Sequence, residues 1–170
     1  MSEIIVRRAE NEDFERIYAL EKVCFSDPWS PGMFESFKNS PVGECAAAFC
    51  ADELCGYACV YIVDGEPESF DGDCELADIA VSPMHRHKNI ARTLLGYVYS
   101  RAAQRYCSHI FLEVRESNTA ARRLYESEGF TVTGKRKNYY VSPLENAVLM
   151  KKELAEDLSA PGKNNVDIGI

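Results

Sequence analysis

Residues 76–91 read LADIAVSPMHRHKNIA, and this stretch decides the fold. Its first six residues are an apolar run of buried-strand type, broken once by Asp78. A polar, basic segment follows. Apolar residues then recur at Ile90, Leu94, Tyr97, Val98 and Ala102, the spacing of a helix face. A strand, a basic loop and a helix start in succession make a phosphate cradle. The first N–H groups of a helix lack intrahelical partners, and the helix dipole favours an anion there. Arg86, Lys88 and Arg92 add positive charge at that spot in a chain of net charge −8. The stretch therefore predicts a site for a phosphorylated cofactor.

Upstream, residues 4–8 read as a strand, and Asn11 can cap a helix with Phe14, Ile17, Leu20 and Cys24 on one face. Ser30 and Pro31 supply a cap and first-turn proline for a short helix over 31–39. Residues 44–51 and 54–63 form a hairpin, and 64–73 a polar loop. Downstream, a long helix spans 90–106 and a strand 109–114. Asn118 or Thr119 caps a helix that Gly129 stops, and strands follow at 130–137 and 147–153. The expected class is α/β (α+β), a mixed sheet with helices on both faces. One domain over 1–158 and a flexible tail over 159–170, polar and without periodicity, complete the layout.

Composition narrows the function. At 170 residues, 46% hydrophobic and 27% charged, the chain is an ordinary globular protein. Net charge −8 argues against nucleic-acid binding and suits a basic partner. The first residues lack the apolar core of a signal peptide, and no run reaches the length of a membrane span. A soluble, cytoplasmic protein is expected, with a monomer the favoured state. Seven cysteines without a CxxC spacing read as buried thiols, not as a disulfide scaffold or metal site.

Three further segments carry a resemblance. Arg86-His87-Lys88-Asn89-Ile90-Ala91 is similar to the Q/R-x-x-G-x-G/A cofactor loop of the GNAT superfamily of N-acetyltransferases. Asn89 departs from the usual glycine there, but Asn is the non-glycine residue most tolerant of left-handed backbone. Asp27-Pro28-Trp29-Ser30 resembles the PWS segment of RimI-type ribosomal-protein alanine acetyltransferases. Leu112 to Asn118, with Ala120, Ala121, Leu124 to Ser127, Gly129 and Phe130, resembles that type's LEVRxSNxxAxxLYExxGF signature, and Asn138-Tyr139-Tyr140 its NYY element. The resemblance covers residues 4–154 and implies the GNAT fold, a mostly antiparallel twisted sheet. It also implies acetyl-CoA as cosubstrate, with no metal.

By resemblance, Glu113 is the general base and Tyr125 the proton donor to the departing thiolate. Read alone, Glu113 is a carboxylate in an apolar strand, either functional or else facing solvent or paired with Arg115, and Tyr125 is a core or boundary tyrosine. The resemblance assigns the backbone of Ile79, Ala80 and Val81 to the pantetheine arm. It gives the pyrophosphate to the loop of Arg86, His87, Lys88, Asn89, Ile90, Ala91 and Arg92. Asn118 is either a simple helix cap or also a cofactor contact. Trp29, Tyr139 and Tyr140 either line the acceptor groove or fill the core, and Asp78 either faces the acceptor or is hydrogen-bonded within the fold. The implied acceptor is a protein amino terminus, the Ala of the eighteenth small-subunit ribosomal protein. A transferase for lysine side chains or small amines, or a non-catalytic acetyl-CoA-binding module, are the alternatives.

Overall fold

The computed structural model describes residues 3–154. The tail expected at 159–170 and the last residues of the 1–158 domain lie outside them. The elements are β1 (Ile4–Arg8), α1 (Phe14–Cys24), α2 (Pro31–Lys38), β2 (Gly43–Cys50), β3 (Glu53–Val63), β4 (Gly72–Val81), α3 (Ile90–Gln104), β5 (Cys107–Arg115), α4 (Thr119–Ser127), β6 (Thr131–Val141) and β7 (Leu144–Glu153). They form one seven-stranded sheet in the order β1-β2-β3-β4-β5-β7-β6. Only β4 and β5 are parallel; every other pair is antiparallel. This is the mixed sheet the sequence predicts.

Each face of the sheet has its own core. Ile90, Leu94, Leu95, Val98 and Ala102 of α3 pack with Leu76, Ile110, Leu112, Val114 and Tyr125. On the other face Ile17 of α1 and Phe34 and Phe37 of α2 pack with Cys45, Tyr57, Cys59 and Ala80. Gly56 lets α3 come close. A Cβ there would lie 2.9 Å from the Ala80 carbonyl oxygen and 3.2 Å from side-chain carbons of Ile90 and Leu94. The start of α3 is thereby seated on β3, beside the end of β4.

Several local expectations change. Asn11 does not cap α1; it opens a 3-10 turn, Asn11–Asp13, in which the Glu10 N–H donates to Asp13 at 2.7 Å. The expected face of Phe14, Ile17, Leu20 and Cys24 packs into the α1–α2 core, and the fully buried residues of α1 are Ile17 and Glu21, so a carboxylate joins that stripe. Ser30 does cap α2, accepting from the Met33 N–H at 3.2 Å. The last hairpin is longer than predicted, so Asn138, Tyr139 and Tyr140 belong to β6. They sit at an irregularity between Arg136 and Tyr140, with Asn138 at φ 51°.

Candidate active site

The site is a wedge between two parallel strands. The β4–β5 ladder ends at Leu76 opposite Leu112, although β4 runs on to Val81 and β5 to Arg115. The separation coincides with a bulge in β4. Val60 faces Leu76 and Cys59 faces Asp78, so Ala77 has no opposite number on β3. One extra residue reverses the alternation of a strand. Before the bulge Cys74 and Leu76 point to the α3 core; after it Ile79 and Val81 do, and Ala80 turns to the α1–α2 core. Asp78 is thereby aimed at Tyr57, at 2.9 Å.

The loop after β4 follows. The Ser82 N–H donates to the Cys55 carbonyl at 2.9 Å, which holds the strand end to β3. His87 and Asn89 are left-handed, with φ 62° and 61°. Arg86, His87, Lys88 and Asn89 are exposed, and Asn89 immediately precedes α3, a helix of 15 residues. Left-handed residues before a helix turn successive N–H groups to one side, a backbone nest for an anion. Arg92 is directed elsewhere: its guanidinium pairs with Glu128 and donates to the Ser127 hydroxyl at 2.9 Å.

Glu113 is the first residue of β5 beyond the last rung. Its neighbours Leu112 and Val114 face the α3 core, so Glu113 lies on the opposite face, half-buried. It pairs with Arg136 at 3.1 Å. The pairing with Arg115 is overturned, because Arg115 reaches Glu145 at 3.4 Å and sits 4.2 Å over the Tyr140 ring. The Glu113 carboxylate, with burial second, holds the Tyr139 hydroxyl above its ordinary pKa. Tyr139 and Tyr140 stack edge to face at 5.1 Å, and Tyr139 remains 46% exposed. Both tyrosines therefore flank Glu113 as candidate walls of an acceptor groove.

Tyr125 comes from α4 on the other face and is buried against Phe130. Burial first, then the charges of Asp78 and Tyr140, keep its hydroxyl protonated beyond the ordinary phenol range. Those two partners place it within electrostatic reach of the wedge. Asn118 accepts from the Ala121 N–H at 3.1 Å, so it caps α4. Trp29 packs on Phe34 and Phe37, with ring centres 5.2 and 5.8 Å away. All seven cysteines are free. Cys24, nearest the wedge, donates to the Val81 carbonyl at 3.6 Å and is held protonated chiefly by burial. Among the described residues no three His, Cys, Asp or Glu side chains converge as metal ligands, and no helix is long and apolar enough to cross a membrane.

Sequence reasoning missed Glu21, Tyr57 and Arg136. Glu21 carried a signal: with Ile17 and Cys24 it falls on one helix face, a charge on the apolar stripe. The bulge at Ala77 and the pairing of Arg136 with Glu113 had no local signature.

Comparison with known proteins points the same way. Residues 14–130 match the acetyltransferase (GNAT) family. The chain is 33% identical over 155 residues to the [ribosomal protein bS18]-alanine N-acetyltransferase of Haemophilus influenzae, covering 86% of this chain and 96% of that one. It is 31% identical over 151 residues to the Escherichia coli K12 enzyme of the same name, covering 83% and 91%. The crystal structure of the ribosomal-protein-S18-alanine N-acetyltransferase from Escherichia coli superposes with a TM-score of 0.80 at 27% identity, covering 95% of this chain and 98% of that one. An Arabidopsis thaliana structure solved in complex with acetyl-CoA shares the fold, with a TM-score of 0.79 at 19% identity over 90% of this chain and 99% of that one.

Proposed function

Because the chain belongs to the acetyltransferase (GNAT) family, we propose that it moves the acetyl group of acetyl-CoA onto the α-amine of a protein amino terminus. The preferred first residue is Ala, and the acceptor is the basic ribosomal protein bS18 that its relatives' names specify. The observation that carries the reading is the wedge, with Glu113 just past the last rung of one wall and Tyr125 buried on the opposite face.

In this reading the free edge of β4 from Ile79 to Val81 hydrogen-bonds the pantetheine arm as an added strand would. The nest from Arg86 to Ile90, with the first turn of α3 at Ala91, takes the pyrophosphate; Asn118 is a further cofactor contact. Arg92 serves instead to tie α3 to α4. The amine attacks the thioester carbonyl, the carbon–sulfur bond breaks, and the acetyl group passes directly to nitrogen. Glu113 accepts the proton the amine gives up, directly or through a water. Tyr125 returns a proton to the departing sulfur. An α-amine with a pKa near ~8 is already partly neutral at pH 7, so a weak base suffices. Trp29, Tyr139 and Tyr140 line the groove for the first residues of the acceptor.

Two peptides of one sequence test this. One carries a free Ala terminus; the other is blocked there and bears an internal lysine. CoA release with mass gain on the free peptide alone is expected. Equal acetylation of the blocked peptide would overturn the α-amine assignment.

A further inference from the structure

Three side chains from three elements meet beside the wedge. Glu21 of α1 is 1% exposed and Tyr57 of β3 is fully buried. Asp78 of β4 completes the group. The Tyr57 hydroxyl contacts Glu21 on one side and Asp78, at 2.9 Å, on the other. Glu21 also accepts from the backbone N–H of Trp29 at 2.6 Å.

This geometry calls for one proton more than the phenol supplies. A phenol has a single proton, and two carboxyl groups meet this one. One of the two therefore brings a proton of its own. Each also has a backbone donor, the Trp29 N–H for Glu21 and the Ile79 N–H for Asp78. Burial, followed by the adjacent Glu21 charge, puts the extra proton on Asp78, which is pushed up to about 8.

We propose that Glu21, Tyr57 and Asp78 form a positioning device for the acceptor. Their shared protons tie the α1–α2 connection, through Trp29, to the bulged edge of β4, and the groove wall loosens when Asp78 ionises. Asp78 acts here through Tyr57 and not as an attractor of basic acceptor side chains. The titratable groups around it are Glu21 and Cys24 from α1, Tyr57 and Cys59 from β3, and Tyr125 from α4. Arg86, in the loop after β4, is the cation of this neighbourhood and acts on Cys24. Once Asp78 loses its proton, two carboxylates flank one phenol proton, and like charges at that spacing repel. The strand cannot yield, since Asp78 is opposite Cys59 in the sheet. The connection carrying Trp29, which is not part of the sheet, can.

The part about the acceptor rests on the acetyltransferase reading; the structural part does not, and a substrate-free signal isolates it. Trp29 is the only tryptophan, so its emission reports on this connection alone. In the full chain a single emission transition with a midpoint at about pH 8 is expected. In Asp78→Asn it disappears, because the amide donates to Tyr57 as the acid does and cannot ionise. In Glu21→Gln it moves to acid by at least about one unit, because the neighbouring charge is gone. KM for an Ala-terminated peptide is measured alongside. The wild-type to Asp78→Asn ratio of KM rises about threefold between pH 7 and 9 while the ratio of kcat stays flat, and taking ratios cancels titration of the peptide amine. No emission transition between about pH 6.5 and 9.5, or one unchanged in both variants, overturns the device. A transition with a flat KM ratio overturns its role in positioning. An enzyme without turnover on any peptide refutes only the acetyltransferase reading, and the emission result still decides the proton-sharing group.

Discussion

Leu76 faces Leu112 across the last rung of the parallel ladder, and Glu113 is the next residue along β5. The proposed proton acceptor and the strand opening are thus adjacent by construction. Glu113→Gln and Tyr125→Phe are each expected to lower kcat by roughly 10²–10⁴ with acetyl-CoA affinity little changed. Steady-state kinetics and calorimetric binding check this. Near-normal turnover at saturation would remove that residue from the mechanism.

Asn89 has φ 61°, a backbone region that favours glycine and tolerates asparagine. Asn89→Gly should preserve or improve acetyl-CoA affinity. Asn89→Val should weaken it about tenfold, since a branched side chain there costs about 1–3 kcal/mol in backbone strain. Calorimetry on the two variants decides. A large loss in Asn89→Gly would mean that the side chain itself makes a contact.

Glu44 on β2 is buried and meets Arg101 of α3 through two contacts, at 2.6 and 2.9 Å. Burial alone would raise its pKa, but the Arg101 hydrogen bonds and charge win and hold it below the ordinary value. The native state therefore keeps Glu44 ionised more strongly than the unfolded chain does. The stability this gives is present at neutral pH and is lost as pH falls through the lowered pKa. Arg101→Ala, which strands a buried carboxylate, should cost about 3 kcal/mol at pH 7 in urea unfolding. The cost should shrink toward pH 3.

Asp78 carries the opposite sign. Its folded pKa, about 8, lies above the unfolded value of about 4. The native state then binds the extra proton, and stability declines as pH rises from about 4 to about 8. Asp78→Asn abolishes that decline. Its melting temperature relative to wild type should be lowest near pH 4 and rise by pH 8. A parallel pair of curves would refute the assignment of the proton to Asp78.

The net charge of −8 and a basic acceptor should attract. Raising salt is therefore expected to lower kcat/KM for a peptide with a basic segment more than it lowers kcat. A neutral peptide with the same Ala terminus should show little salt effect. Equal salt dependence for the two peptides would exclude steering by charge.

What was legible in the sequence was what is local. Apolar alternation placed the strands, Ser30 and Asn118 announced their caps, and the run from Leu76 to Ala91 announced the strand, loop and helix around the wedge. What was hidden depends on register. Nothing near Glu113 indicates Arg136, which reaches it from β6 only because β7 intervenes between the two strands. The side-chain partners of Glu21 lie 36 and 57 positions away in sequence, at Tyr57 and Asp78. Its place on a buried helix face announced an anomaly, and only the sheet supplies the answer.

The unpaired Ala77 has a consequence for how this strand can evolve. β4 is in effect written in two reading frames, one that serves the α3 core up to Leu76 and one that serves it again from Ile79. The cleft lies at the seam. Deleting Ala77 would join the frames into one regular alternation, with Asp78 still facing Tyr57 and Ile79 still facing α3. Flattening the bulge while keeping Ala77, so that Ala77 pairs with Cys59 in place of Asp78, would instead send the Asp78 carboxyl into the apolar layer beneath α3. Point substitutions can therefore tune the cleft one side chain at a time, whereas a one-residue slip of register at this seam exchanges every side chain beyond it at once.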